Sequence, residues 1–79
     1  MANLEKGNPY RTALIALIHS INNQVPLDEE ERLLIMLKLN SEKKIIKFNK
    51  WIKNRVIEDD LHATAAEIAR AAVKIGKEE

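Results

Sequence analysis

The chain has 79 residues, a net charge of +1 at neutral pH and no cysteine, which leaves room for one domain and excludes disulfide staples and thiolate zinc sites. Apolar residues make up 46% and charged ones 32%, too apolar a balance for a disordered chain, while no apolar run approaches the ~20 residues of a membrane span. A chain of this length buries only about 60–65% of its unfolded surface, so its stability must come from efficient helix packing, from association with another chain, or from both.

Residues 1–8 read as a loose arm, broken by Gly7, Asn8 and Pro9. The first six residues lack the layout of a signal peptide, and together with the cysteine-free composition this points to the cytoplasm. The remaining residues, 9–79, are expected to form a single helical domain. Pro9 suits a first helical position, where its missing N–H would have no partner anyway. Tyr10, Leu14, Leu17, Ile18 and Ile21 then recur at spacings of three and four, which stacks them on one helix face as far as about Gln24. Ile15 falls off that stripe. Pro26 ends the pattern.

Asp28 and Glu31 have the spacing of a capping box, and Glu29, Glu30 and Glu31 suit the positive end of a helix dipole. The run Leu33, Leu34, Ile35, Met36, Leu37 is apolar all round, which predicts a short helix buried on every side at the centre of the fold. Ser41 is placed to cap a third helix over about 42–57, with Ile45, Phe48, Ile52 and Val56 inward and Lys43, Lys47 and Lys50 on the opposite stripe. Glu58, Asp59 and Asp60 close it. Thr64 and Glu67 form a second capping box before a fourth helix with Ala65, Ile68, Ala72 and Ile75 on its inner face, ending at Gly76 as a C-cap. Only two glycines and two prolines interrupt the chain, so the expected fold is all-α, a compact bundle of about four short helices.

Residues that could carry chemistry are sparse. His19 and His62 lie far apart and neither has a ligand-spaced neighbour. Ser20 adjoins His19, but adjacent residues on a helix point in different directions. No glycine-rich loop is present to hold a phosphate. The sequence therefore predicts no catalytic residues, no metal site and no cofactor, and a protein that is not an enzyme.

The charge pattern is more informative. Residues 41–57 hold Lys43, Lys44, Lys47, Lys50, Lys53 and Arg55 against one acid, Glu42, and the segments on either side are net acidic. Trp51 falls beside Lys44 and Arg55 at the edge of the inner stripe, where a large aromatic can anchor an interface or cover one side of a small core. Three readings compete for this basic helix: a lysine stripe that is only a solvated face, a contact to nucleic-acid phosphates, and a dock for an acidic protein surface; in the binding readings Lys43, Lys44, Lys47, Lys50, Trp51 and Arg55 are the expected partner-binding residues. Ile15, Ala66 and Val73 lie off the inner stripes of their helices and are the expected self-association residues. The string from Ala63 to Ala72 resembles the leading helix of helix-turn-helix units, but the few residues after it are too short for a recognition helix, so the resemblance assigns no family. The expected function is a small non-enzymatic interaction or regulatory module that binds another macromolecule, a protein in the first instance, with homo-oligomers expected and no membrane. The alternative is a nucleic-acid binder that lays the basic helix on phosphates.

Overall fold

A computed structural model describes residues 9–78; the arm expected over residues 1–8 lies outside them. Four helices and one small hairpin follow in the order α1 (Pro9–Gln24), α2 (Glu29–Lys38), α3 (Glu42–Lys53), β1 (Val56–Ile57), β2 (Asp60–Leu61) and α4 (Ala65–Lys77). The expected all-α bundle is what forms. No helix among the described residues is long and apolar enough to cross a membrane.

The helix starts are set by local chemistry. Asp28 Oδ1 accepts from the Glu31 N–H at 2.8 Å and Glu31 Oε1 accepts from the Asp28 N–H at 2.9 Å, the reciprocal capping box. Ser41 Oγ accepts from the Lys44 N–H. Thr64 Oγ1 accepts from the Glu67 N–H at 3.1 Å, while Glu67 accepts from the Thr64 N–H. Three residues near the end of α1 and the start of α2, polar and unremarkable in sequence, fasten the joints. Asn22 Oδ1 accepts from the Leu27 N–H, Gln24 Oε1 accepts from the Leu61 N–H in the hairpin, and Arg32 donates to the Leu27 carbonyl.

The core is one cluster drawn from every helix and from the segments between them. Phe48, Ile35, Ile68, Leu14, Ile21 and Leu39 are its largest fully buried members. α4 packs most extensively on α2 and next on α3, while α1 packs on α3, α2 and β2. No polar or charged residue among those described is buried.

Three expectations need correction. α2 is not buried on every side: Ile35 is fully buried, Leu34 and Met36 are half-buried, and Leu33 and Leu37 are 55% and 71% exposed. A helix in a four-helix bundle has neighbours on only one side, so an all-round apolar pattern here marks an uncovered outer face rather than a central position. α3 does not reach residue 57. It ends at Lys53 with Asn54 as its C-cap, and Val56, expected on the inner stripe, is exposed in β1. Glu58 and Asp59, with φ of 53° and 65°, are the two residues between the paired positions Ile57 and Asp60. Positive φ at both central residues is what a tight two-residue hairpin turn requires, and it cannot be accommodated in a helix. Gly76, finally, is no left-handed C-cap, because it has no positive φ and lies within α4. A Cβ there would sit 2.8 Å from both Cβ and O of Lys38. The glycine is what lets the last turn of α4 approach the end of α2.

Candidate functional site

The basic face of α3 is built by the capped start at Ser41, which sets the helix phase, and by Ile45, Phe48 and Ile52, which turn one side into the core. Lys43, Lys47 and Lys50 emerge on the opposite side and are exposed. Ile46 sits among them, 43% exposed. Glu42, Lys43, Ile46, Lys47 and Lys50 line one open depression. Tyr10, Ala13, Ala16, Leu17, Ile45, Ile46 and Asn49 line a second between α1 and α3. Ile46 belongs to both, so an apolar groove runs directly into the lysine bank. The Tyr10 hydroxyl at the mouth of this groove is held above its ordinary pKa, chiefly by its hydrogen bond to Glu42.

The six expected partner-binding residues do not form one uniform stripe. Lys44 is half-buried and turns toward α4, where its Nζ donates to the Gly76 carbonyl at 3.0 Å and to Asn40 Oδ1 at 3.4 Å. It thereby satisfies one of the free carbonyls at the end of α4 and places a positive charge at the negative end of its dipole. Lys47 pairs with Glu78, and this lysine holds the Glu78 carboxyl below its ordinary pKa. Trp51 is half-buried. It stacks on Phe48 with ring centroids 6.4 Å apart, and the Arg55 guanidinium lies 4.8 Å from its ring centroid, a cation–π contact. Trp51 and Arg55 therefore make a closed unit at the far end of α3, beside the exposed hairpin residues Val56 and Ile57. Glu67 is held below its ordinary pKa by the Thr64 backbone and hydroxyl bonds of the cap, with Arg55 and Arg70 adding charge.

The expected self-association residues are also separated. Ile15 lines a groove between α1 and α2 together with Ile18, His19, Asn22, Arg32 and Met36, and α4 does not contribute to that groove. Ala66 is exposed and Val73 half-buried on α4. His19 borders the α1–α2 groove and His62 follows β2, its N–H donating to the Arg55 carbonyl. Among the described residues no three of His, Asp and Glu converge as metal ligands would. Among the described residues, the exposed large apolar residues that sequence reasoning missed are Tyr10, Leu33, Leu37, Ile46, Val56 and Ile57. The signal for Ile46 was available, since it falls one position outside the inner stripe and between two lysines.

No family model matches the chain, and neither the curated proteins nor the solved structures contain a significant match to it.

Proposed function

We propose that the protein is a non-enzymatic interaction module that docks an acidic, amphipathic segment of another protein on the α1–α3 groove and the lysines beside it. The observation that carries this reading is Ile46, exposed between Lys43, Lys47 and Lys50 and continuous with the apolar groove. An apolar anchor within a cationic rim suits a partner with one apolar and one acidic face, whereas a phosphate backbone offers nothing for Ile46 to bury against. Self-association and a cytoplasmic setting belong to the same proposal.

The test is affinity capture from the native host's lysate, with and without nuclease, by the parent chain, by Ile46→Asp and by Lys43→Glu/Lys47→Glu/Lys50→Glu. The docking reading expects one protein captured by the parent, lost with both variants and indifferent to nuclease. Fluorescence anisotropy with an unrelated duplex and a single strand, at about 50 mM salt, covers the alternative. Salt-sensitive binding there that is lost with the triple variant but kept by Ile46→Asp would replace the protein partner with nucleic acid.

A further inference from the structure

The groove between α1 and α2 is built by a short repeat on each helix. Ile15, Ile18, His19 and Asn22 follow one another at spacings of three and four, which sets them in a row on one face of α1. Arg32 and Met36 do the same on α2, and the six together line a recess of about 450 Å³. That volume is in the range of small-molecule sites, which bundles form between facing helices. Ile18 is buried at the base of the recess, while Ile15 and the half-buried Met36 stand at its sides.

The recess has a polar end and an apolar end. Asn22 and Arg32 both hydrogen-bond to Leu27, in the linker that joins the helices, at 2.7 Å and 2.6 Å. They therefore stand at the linker end. Ile15 is about two turns farther from the linker along α1 and Met36 about one turn farther along α2, roughly 10 Å and 6 Å at 1.5 Å per residue. The polar end offers donors without acceptors. Asn22 Oδ1 accepts from the Leu27 N–H, so the polar group that remains to this amide is its NH2. Arg32 donates from Nη1 to the Leu27 carbonyl and keeps its other N–H donors. Among the described residues neither these donors nor the exposed imidazole of His19 meets an acceptor. The acids nearest to Arg32 on its own helix do not neutralise it. Asp28 accepts from the Glu31 N–H, and Glu29, three residues before Arg32, forms no ion pair with it among the described residues.

We propose that this recess binds a small amphipathic carboxylate, a short- to medium-chain alkanoate, with its head on Arg32 and Asn22 and its tail along Ile15, Ile18 and Met36. A surplus of donors selects a head group that only accepts, which an ionised carboxylate does. The planar guanidinium matches the two oxygens of a carboxylate. One arginine balances its single charge, whereas a phosphate monoester carries nearly two. An amine would set donor against donor. The alkyl tail needs no polar partner, and the three apolar side chains at the far end offer none. The inference is independent of docking at α3, because no residue of that helix lines the recess.

Isothermal titration calorimetry of the full chain with octanoate, octanol, octylamine and octyl phosphate tests it. Octanoate is expected to bind saturably, one to one, with Kd below about 1 mM. Shorter alkanoates should bind about fourfold more weakly for each CH2 removed. Octanol should be weaker than octanoate by about tenfold or more, octyl phosphate weaker as well, and octylamine should not bind. Amide shifts caused by octanoate in NMR spectra should fall on α1, α2 and their linker. Arg32→Gln is expected to weaken octanoate by about tenfold or more. That change also removes the bond to Leu27, so Ile15→Glu, at an exposed position, serves as the second variant. It is expected to lose octanoate with an unchanged circular dichroism spectrum. The proposal is overturned if the parent chain shows no saturable octanoate binding, or if octanol, octylamine or octyl phosphate binds as tightly. Unchanged octanoate affinity in Ile15→Glu overturns it too.

Discussion

Replacing Gly76 by alanine isolates the contact between α2 and α4. In an open helix the change is favourable, because alanine exceeds glycine in helix propensity by up to about 1 kcal/mol. At position 76 the added Cβ lies 2.8 Å from Lys38 O and 2.8 Å from Lys38 Cβ. Neither atom is the far end of a flexible side chain, so one helix must move. Overpacking of this kind costs about 1–3 kcal/mol. The displacement also disturbs the bond from Lys44 Nζ to the Gly76 carbonyl. We expect a net loss of about 1–2 kcal/mol after the propensity gain is subtracted. For a domain of this size that lowers the melting temperature by about 4–16 °C. Thermal unfolding followed by circular dichroism reads it directly. A melting temperature equal to or above that of the parent would refute the close-approach argument and restore Gly76 as an ordinary helix-end residue.

Ile35→Ala is expected to cost about 2–5 kcal/mol, since Ile35 is fully buried. Leu37→Ala, at 71% exposure, should leave the low-micromolar melting temperature within about 3 °C of the parent; equal losses for the two would put α2 back at the centre of the fold. Glu67 and Glu78 both titrate below the ordinary glutamate value of 4.5, so the folded state holds fewer protons there than the unfolded state. Their stabilisation is present above that value and is lost as pH falls through the depressed folded values. The melting temperature should therefore be level near neutrality and decline in acid, with a smaller decline for Glu67→Gln; an identical acid decline in that variant counts against the cap. Arg55→Ala uncovers the ring of Trp51, the only tryptophan in the chain, and is expected to shift its fluorescence emission to longer wavelength. An unchanged spectrum would mean that the guanidinium does not shield the ring.

The legible part of the fold was the part set by neighbours in sequence. Asp28, Ser41 and Thr64 cap their helices because each lies three residues before the N–H it accepts from, and no distant contact is needed for that. The inner stripes of α1, α3 and α4 were legible for the same reason, except at their ends, where Tyr10 and Val56 are exposed. What sequence could not supply was the side on which a neighbour would stand. α2 is apolar around its whole circumference, so its pattern has no phase, and only the placement of α1 and α4 decides that Ile35 faces in while Leu37 faces out. The hairpin was hidden by its turn, because Glu58 and Asp59 are poor representatives of a position that usually holds asparagine or glycine. Its one sequence signal was the β-branched pair Val56 and Ile57 directly before the acidic run. At the candidate site the lysines were visible but their engagements were not. Lys44 and Lys47 are satisfied by groups 32 and 31 residues away, a separation at which spacing carries no information.

The hairpin turn at Glu58 and Asp59 lies on the surface, and nothing beyond it depends on an unbroken backbone there. α4, which follows the turn, has its main neighbours in α2 and α3, both of which precede it, and its last turn is held by Lys44. A protease that cuts the exposed tip would therefore leave two fragments whose apolar faces still fit each other. Such a nicked protein should travel as one particle under native conditions and separate only in denaturant. The same property makes residues 1–58 and 59–79 a natural pair of halves for reconstitution, in which the return of fluorescence from the Trp51 fragment would report that α4 has docked.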